Sequence, residues 1–153
     1  ADPSQLDNLD DDELVAQQMI PGVEYNLDIL NRRDGEVVAV VPKEKLEMRY
    51  GSTHKARSVD DEALIELGVD VGEAVGHVGA IDVDVMVGRD GTRYVIDINP
   101  RVGGGFPFTS FYCPAYVDAL LAIAGGDAPE PFLGEYETGR RVDREFRYFS
   151  TDG

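Results

Sequence analysis

Asp82, Asp84, Asp97 and Asn99 carry oxygen donors at alternating positions of two short runs, Ile81 to Val87 and Arg93 to Asn99, which flank Asp90-Gly91. Alternating runs on either side of an Asp-Gly pair are the strongest short-range signal for a β-hairpin. With a two-residue loop, Arg89 faces Thr92, and counting back along both strands sets Asp84 against Asp97 and Asp82 against Asn99. Directly opposed residues share a face, so Val83, Val85, Ile96 and Ile98 fall together on the other one, which a core is expected to bury. Three carboxylates and an amide in one row repel each other, and a hard cation relieves that repulsion. All-oxygen donors with no His or Cys beside them select Mg²⁺ or Mn²⁺ over zinc and leave coordination positions for phosphate oxygens. The plainer reading is the solvated outer face of an acidic protein.

Asn99-Pro100-Arg101 ends the second strand, because proline cannot continue the ladder, and Arg101 is thereby delivered beside the carboxylates. Gly103 to Gly105 then allow the backbone to come close to something bulky or anionic. A strand ending in DINPR after a carboxylate-bearing partner strand resembles the ATP-grasp superfamily, most closely its carbamoyl-phosphate synthetase-like members and carboxylate-amine ligases. The resemblance implies that Asp84, Asp97 and Asn99 are metal ligands holding Mg²⁺ (or Mn²⁺) against ATP phosphates, with Arg101 as the catalytic cation beside the transferred phosphoryl group. Asp84 is a departure, since relatives often carry Glu or Gln there, and its shorter reach points to a water-mediated contact. Asp82 is not a usual ligand and is expected to support the others.

Upstream, Gln17-Gln18-Met19-Ile20-Pro21-Gly22-Val23-Glu24-Tyr25-Asn26-Leu27-Asp28 resembles the hinge between the two ATP-holding lobes of that family. The resemblance places adenine against the backbone of Met19 and Ile20, its amino edge at Gln17 or Gln18, and the ribose hydroxyls at Glu24. Read without the family, the stretch is a short strand, a Pro-Gly turn and an alternating strand. From Lys43 to Ser58 there is no clear periodicity, which predicts a loop. Either it faces phosphate, with Gly51-Ser52-Thr53 offering amides and hydroxyls and Lys55 or Arg57 offering charge, or it is a solvated surface segment.

The remaining elements form a mixed order. Residues 5 to 16 make a short helix or an approach to the hinge, Gln17 to Ile20 and Val23 to Leu30 are strands, and Asp34-Gly35 turns the chain into a strand from Glu36 to Pro42. A capping box at Ser58 and Asp61 starts a helix with Leu64, Leu67, Val71, Val75 and Val78 on one stripe. Gly68, Gly72 and Gly76 weaken it, yet their spacing permits close packing on a sheet. His77 at its end reads as a dipole partner or a surface residue rather than a ligand. Pro114 to Ala124 is a second helix stopped by Gly125-Gly126, and Gly139 to Ser150 holds a final strand whose arginines are offset by local acids.

At 153 residues the chain has the length of one domain, and 42% hydrophobic residues exclude global disorder. A net charge of -16 argues against nucleic acid and against anionic membranes as partners. Cys113 is the single cysteine, so no internal disulfide forms, and its apolar and aromatic neighbours predict a buried thiol. Without a signal-like segment or a run of eighteen apolar residues, the chain is expected to be cytoplasmic. Ala1 is not an initiator Met, so the start is processed or the chain is a piece of something longer.

The resemblance is strongest over residues 14–127 and matches only the C-terminal lobe of an ATP-grasp enzyme. The expected fold is α+β, a single domain over 1–153, mainly an antiparallel sheet with helices on one side. The expected function is the ATP- and Mg-binding lobe of a ligase that activates a carboxylate as an acyl phosphate for attack by an amine or similar nucleophile. Its partners are the small carboxylate and amine substrates and the missing N-terminal lobe. The competing class, left open by the sequence, is a nucleotide- and metal-binding module that regulates without turnover.

Overall fold

Runs of alternating side chains become strands here because each strand must bury one face while its backbone groups pair with a neighbour. A computed structural model of the protein describes residues 17–145; the short helix or hinge approach expected over residues 5 to 16 and the tail from residue 146 lie outside that range. Six strands form one antiparallel sheet: β1 (Gly22–Asn31), β2 (Val37–Arg49), β3 (Ser52–Ser58), β4 (Gly79–Gly88), β5 (Arg93–Asn99) and β6 (Arg141–Asp143), in the order β5-β4-β1-β2-β3-β6. Three helices join them: α1 (Glu62–Val75), α2 (Phe106–Tyr112) and α3 (Pro114–Gly125). The α+β class and the antiparallel sheet are as expected.

The helices divide between the two faces rather than sharing one. Leu27 and Ile29 of β1, with Val40, Ile81, Val83 and Val85 of its neighbours, pack under α1. The alternate residues Asn26, Asp28 and Leu30 point the other way, where α2 and α3 bury Phe108, Tyr112, Tyr116 and Ile123 against Leu30, Ala39 and Val41. β1 is central and apolar at its odd positions as well as at Leu30, so both faces need a cover.

Several local expectations shift. Gln17 to Ile20 is non-strand chain, exposed up to Met19, which is 88% exposed, and half-buried at Ile20. The segment from Lys43 to Ser58 is not a loop: β2 continues to Arg49, turns at Tyr50 and Gly51 with φ of 51° and 74°, and returns as β3 with Arg49 opposite Ser52. Two successive left-handed residues form the hairpin turn that matches strand twist. Its strands escape a hydrophobic search because charges occupy both of their faces. Helix α1 is capped by Asp61, whose side chain accepts from the Leu64 amide at 3.1 Å, while Ser58 ends β3; Val78 falls beyond the left-handed C-cap Gly76. Helix α2 carries little signal in the sequence, since Phe106 to Tyr112 is seven residues long and aromatic on its exposed side, at Phe111, as well as at the buried Phe108 and Tyr112. The final strand is three residues long, and Cys113 is buried as expected. Among the described residues no single helix is long and apolar enough to cross a membrane.

Gly72 shows how closely α1 approaches the sheet. A Cβ there would lie 2.8 Å from both Asn31 Oδ1 and Val37 Cγ2. Gly72→Ala is therefore expected to destabilise the protein by about 1–3 kcal/mol through overpacking, outweighing the ~1 kcal/mol that Ala gains in helix propensity. A urea melt checks this, and a stabilised variant would show that the helix has room to move.

Candidate functional site

The β4–β5 hairpin reaches the expected register by a different route. Asp84 is opposite Asp97 and Asp82 opposite Asn99, but Val85 is opposite Val95. Ile96 is thus an extra residue in β5, a bulge, and at the turn the Gly88 amide donates to Thr92 O at 2.8 Å, enclosing three loop residues, with Gly91 at φ 82°. The added loop residue and the added bulge residue cancel at the carboxylates. Val83 and Val85 are buried, whereas Ile96 and Ile98 are 38% and 42% exposed, because among the described residues β5 is an edge strand that no helix covers.

Pairing carries the acidic row across four strands. Asp84 and Asp97 stand in line with Asn26 and Lys43, and Asp82 and Asn99 with Asp28 and Val41. Of these, Asn26, Asp82, Asp84, Asp97 and Asn99, with Gly104, Gly105 and the β2–β3 turn, line a cavity of about 370 Å³. Asn26 organises its floor: the amide donates to Asp82 Oδ1 at 2.7 Å and to Asp84 Oδ1 at 2.8 Å. The nitrogen must point this way, since an oxygen there would meet two carboxylates. Asn26 Oδ1 is left buried with no hydrogen-bond partner among the described residues. Asn99 donates to Asp97 Oδ2 at 2.6 Å.

Two lysines supply the compensating charge. Lys45 Nζ lies 2.6 Å from Glu24 Oε1 and 2.8 Å from Asp84 Oδ2. Burial, the largest influence, works against its charge, yet the bonds to Asp84 and Glu24 together outweigh it and raise its pKa. Lys43 is fully buried, where its ammonium meets Asp28 and Thr109, and Thr109 also donates to Asp28. Burial holds the Asp82 carboxyl above the usual carboxylate range, although the Asn26 bond acts in the opposite direction. A Cβ on Gly103 would collide with that carboxylate, so the glycine loop is what lets the backbone lie against Asp82.

The structure brings Asp84, Asp97, Asn99 and Arg101 to one cavity together with Asp82, the expected supporting residue, and it adds Asn26 and Lys45. Arg101 projects 3.8 Å from Asp82 Oδ2 and donates to Val102 O at 3.2 Å. Glu24 reaches the cavity through Lys45, and Gly51 to Thr53 form part of its wall. Gln17, Gln18, Met19 and Ile20 do not line it, and Lys55 is turned away, 2.6 Å from Glu47 beside Arg49 and His54. Lys43 and Lys45 sit in what reads as a loop in the sequence; their alternation with Glu44 and Leu46 is the available signal.

A divalent cation fits this donor set. Among the described residues no three His, Cys, Asp or Glu side chains form a metal cluster. A cation would rely on Asp84, Asp97 and amide oxygens, with the unpartnered Asn26 Oδ1 nearby, and leave positions for ligand oxygens, as Mg²⁺ prefers.

Solved structures with similar folds include biotin carboxylase from Campylobacter jejuni with β,γ-ATP, with a TM-score of 0.66 and 17% identity. They include the biotin carboxylase domain of 2-oxoglutarate carboxylase from Hydrogenobacter thermophilus with MgADP and bicarbonate, at 0.62 and 16%. A third is the ATPase subunit of phosphoribosylaminoimidazole carboxylase from Aquifex aeolicus, at 0.61 and 14%. The matches cover 82%, 78% and 78% of this chain but 30%, 28% and 38% of those proteins, so this chain corresponds to roughly a third of each. The family described as "ATP-grasp in the biosynthetic pathway with Ter operon" matches residues 10–144. With that match spanning nearly the whole chain, and the same lobe found in the solved structures, the protein belongs to this ATP-grasp family.

Proposed function

We propose that this chain is the ATP- and Mg²⁺-binding lobe of a ligase that converts a small carboxylate to an acyl phosphate for attack by an amine or similar nucleophile, in the cytoplasm. The observation that carries the reading is the convergence of Asp84, Asp97, Asn99 and Arg101 on one cavity floored by Asn26. Asn26 fixes the Asp82 and Asp84 carboxylates in one orientation before any ligand arrives, so little reorganisation is needed at the moment of reaction. Lys45 ties Glu24, the expected ribose contact, to Asp84, so nucleotide and cation are felt by one ammonium. Arg101 stands at the cavity mouth with most of its donors unspent, able to hold a carboxylate and a phosphoryl group in line. Bound Mg²⁺ would supply neutralisation of the charge on the phosphate oxygens.

The test uses the full-length protein with ATP, Mg²⁺, candidate acids and hydroxylamine, which traps an acyl phosphate as a hydroxamate. ATP- and acid-dependent hydroxamate is expected; nucleotide binding without it would favour the regulatory module. The metal assignment has its own readout at fixed ionic strength, where general screening is constant. Mn²⁺ or Mg²⁺ is expected to raise the melting temperature of wild type by binding the native state, and Asp97→Asn to lose most of that rise. Equal shifts in both would reject the site.

A further inference from the structure

A second cavity, of about 300 Å³, shares Arg101 but no other lining residue with the cavity of the acidic row. Its walls come from four parts of the chain that do not adjoin in sequence: the β1–β2 turn, the approach to β4, the segment after β5, and the C-terminal end of α3. Val102, Leu120 and Ile123 make it apolar, while Arg33, His77 and Arg101 are its ionisable side chains. Among the described residues no acid lines it, in a chain that carries 30. Excess cation in an apolar recess of so acidic a protein marks a place where an anion gains both attraction and desolvation. Arg33 spends one weak bond, 3.4 Å, on the Ile123 carbonyl at the end of α3, where the Gly126 amide also donates, so most of its five donors remain available.

Arg101 lines both cavities. We propose that the second cavity binds the acid substrate, a small carboxylate with an apolar body. Its carboxylate meets Arg101, which presents it to the phosphate-side cavity, and its apolar part packs between Val102 and the end of α3. Arg33 and His77 favour an acid with a further anionic or hydrogen-bond-accepting group. This assignment rests on the ligase reading for its role in turnover, but the cavity's preference for anions does not. Nucleotide and acid would thus occupy two recesses that share one guanidinium, which accounts for a strand-ending arginine that lines both.

The experiment is calorimetry and saturation-transfer NMR on the full-length protein with hexanoate, 4-phenylbutyrate and glutarate, and with 4-phenylbutanamide as the neutral isostere. At least one acid is expected to bind, the amide at least tenfold more weakly than 4-phenylbutyrate, and Arg33→Ala to weaken acid binding at least fivefold with Mg-ATP affinity unchanged. Leu120→Trp, which fills the recess, is expected to abolish acid binding and likewise spare Mg-ATP. No binding by any of the acids, equal binding of acid and amide, or acid affinity untouched by both variants would overturn the proposal. Intact Mg-ATP binding in that case leaves the ligase reading standing. Acid binding without Mg-ATP binding would have the reverse meaning, supporting the pocket and removing the nucleotide site.

Discussion

Arg101→Lys in the full-length protein is expected to slow hydroxamate formation by ~10²-fold or more, the scale of losing one electrostatic stabiliser of a transferring group, with the melting temperature unchanged. Stability should be indifferent because the side chain is 60% exposed, donates to the neighbouring Val102 carbonyl, and stands as far as 3.8 Å from the buried Asp82, a long contact made from the solvent side and worth little to folding. Chemistry should not be indifferent. Lysine keeps the charge but loses the planar fork that aligns a carboxylate and a phosphoryl group together. Near-normal turnover would remove Arg101 from the mechanism, and a large fall in melting temperature would assign it a structural role.

Lys43→Met is expected to cost about 3–5 kcal/mol of stability, the penalty for leaving one partner of a buried ion pair uncompensated. The ammonium is fully buried between Asp28 and Thr109, and Asp28 faces Asp82 across the β1–β4 pairing, so its loss leaves two unscreened carboxylates side by side beneath the cavity. Removing both charges, as in Asp28→Asn with Lys43→Met, should recover most of the loss, because two neutral groups of similar size no longer strand a buried charge. Urea melts of the two single variants and the double variant form the cycle. A single variant costing under about 1 kcal/mol would mean that water or another cation reaches Asp28, and that the ion pair does not hold the site's floor.

The hairpin shows how far sequence alone carries. Alternation and the Asp-Gly pair were enough to align Asp84 with Asp97, Asp82 with Asn99, and Arg101 beyond them, since period and turn chemistry are local properties. They did not reveal the three-residue loop or the bulge at Ile96, whose offsets cancel, nor that Ile96 and Ile98 stay exposed, because burial depends on what covers the strand. The strands β2 and β3 beyond Pro42 were illegible for a related reason. Lys43 and Lys45 look like surface residues until Asp28, Glu24 and Asp84 are brought opposite them by pairing across distances of fifteen residues or more. Composition and local pattern thus determined the elements, the acidic row and its likeness to ATP-grasp proteins. The tertiary structure decided which charges compensate that row, which face each helix covers, and that Arg101 lines two recesses, because those facts rest on contacts between segments that no local period encodes.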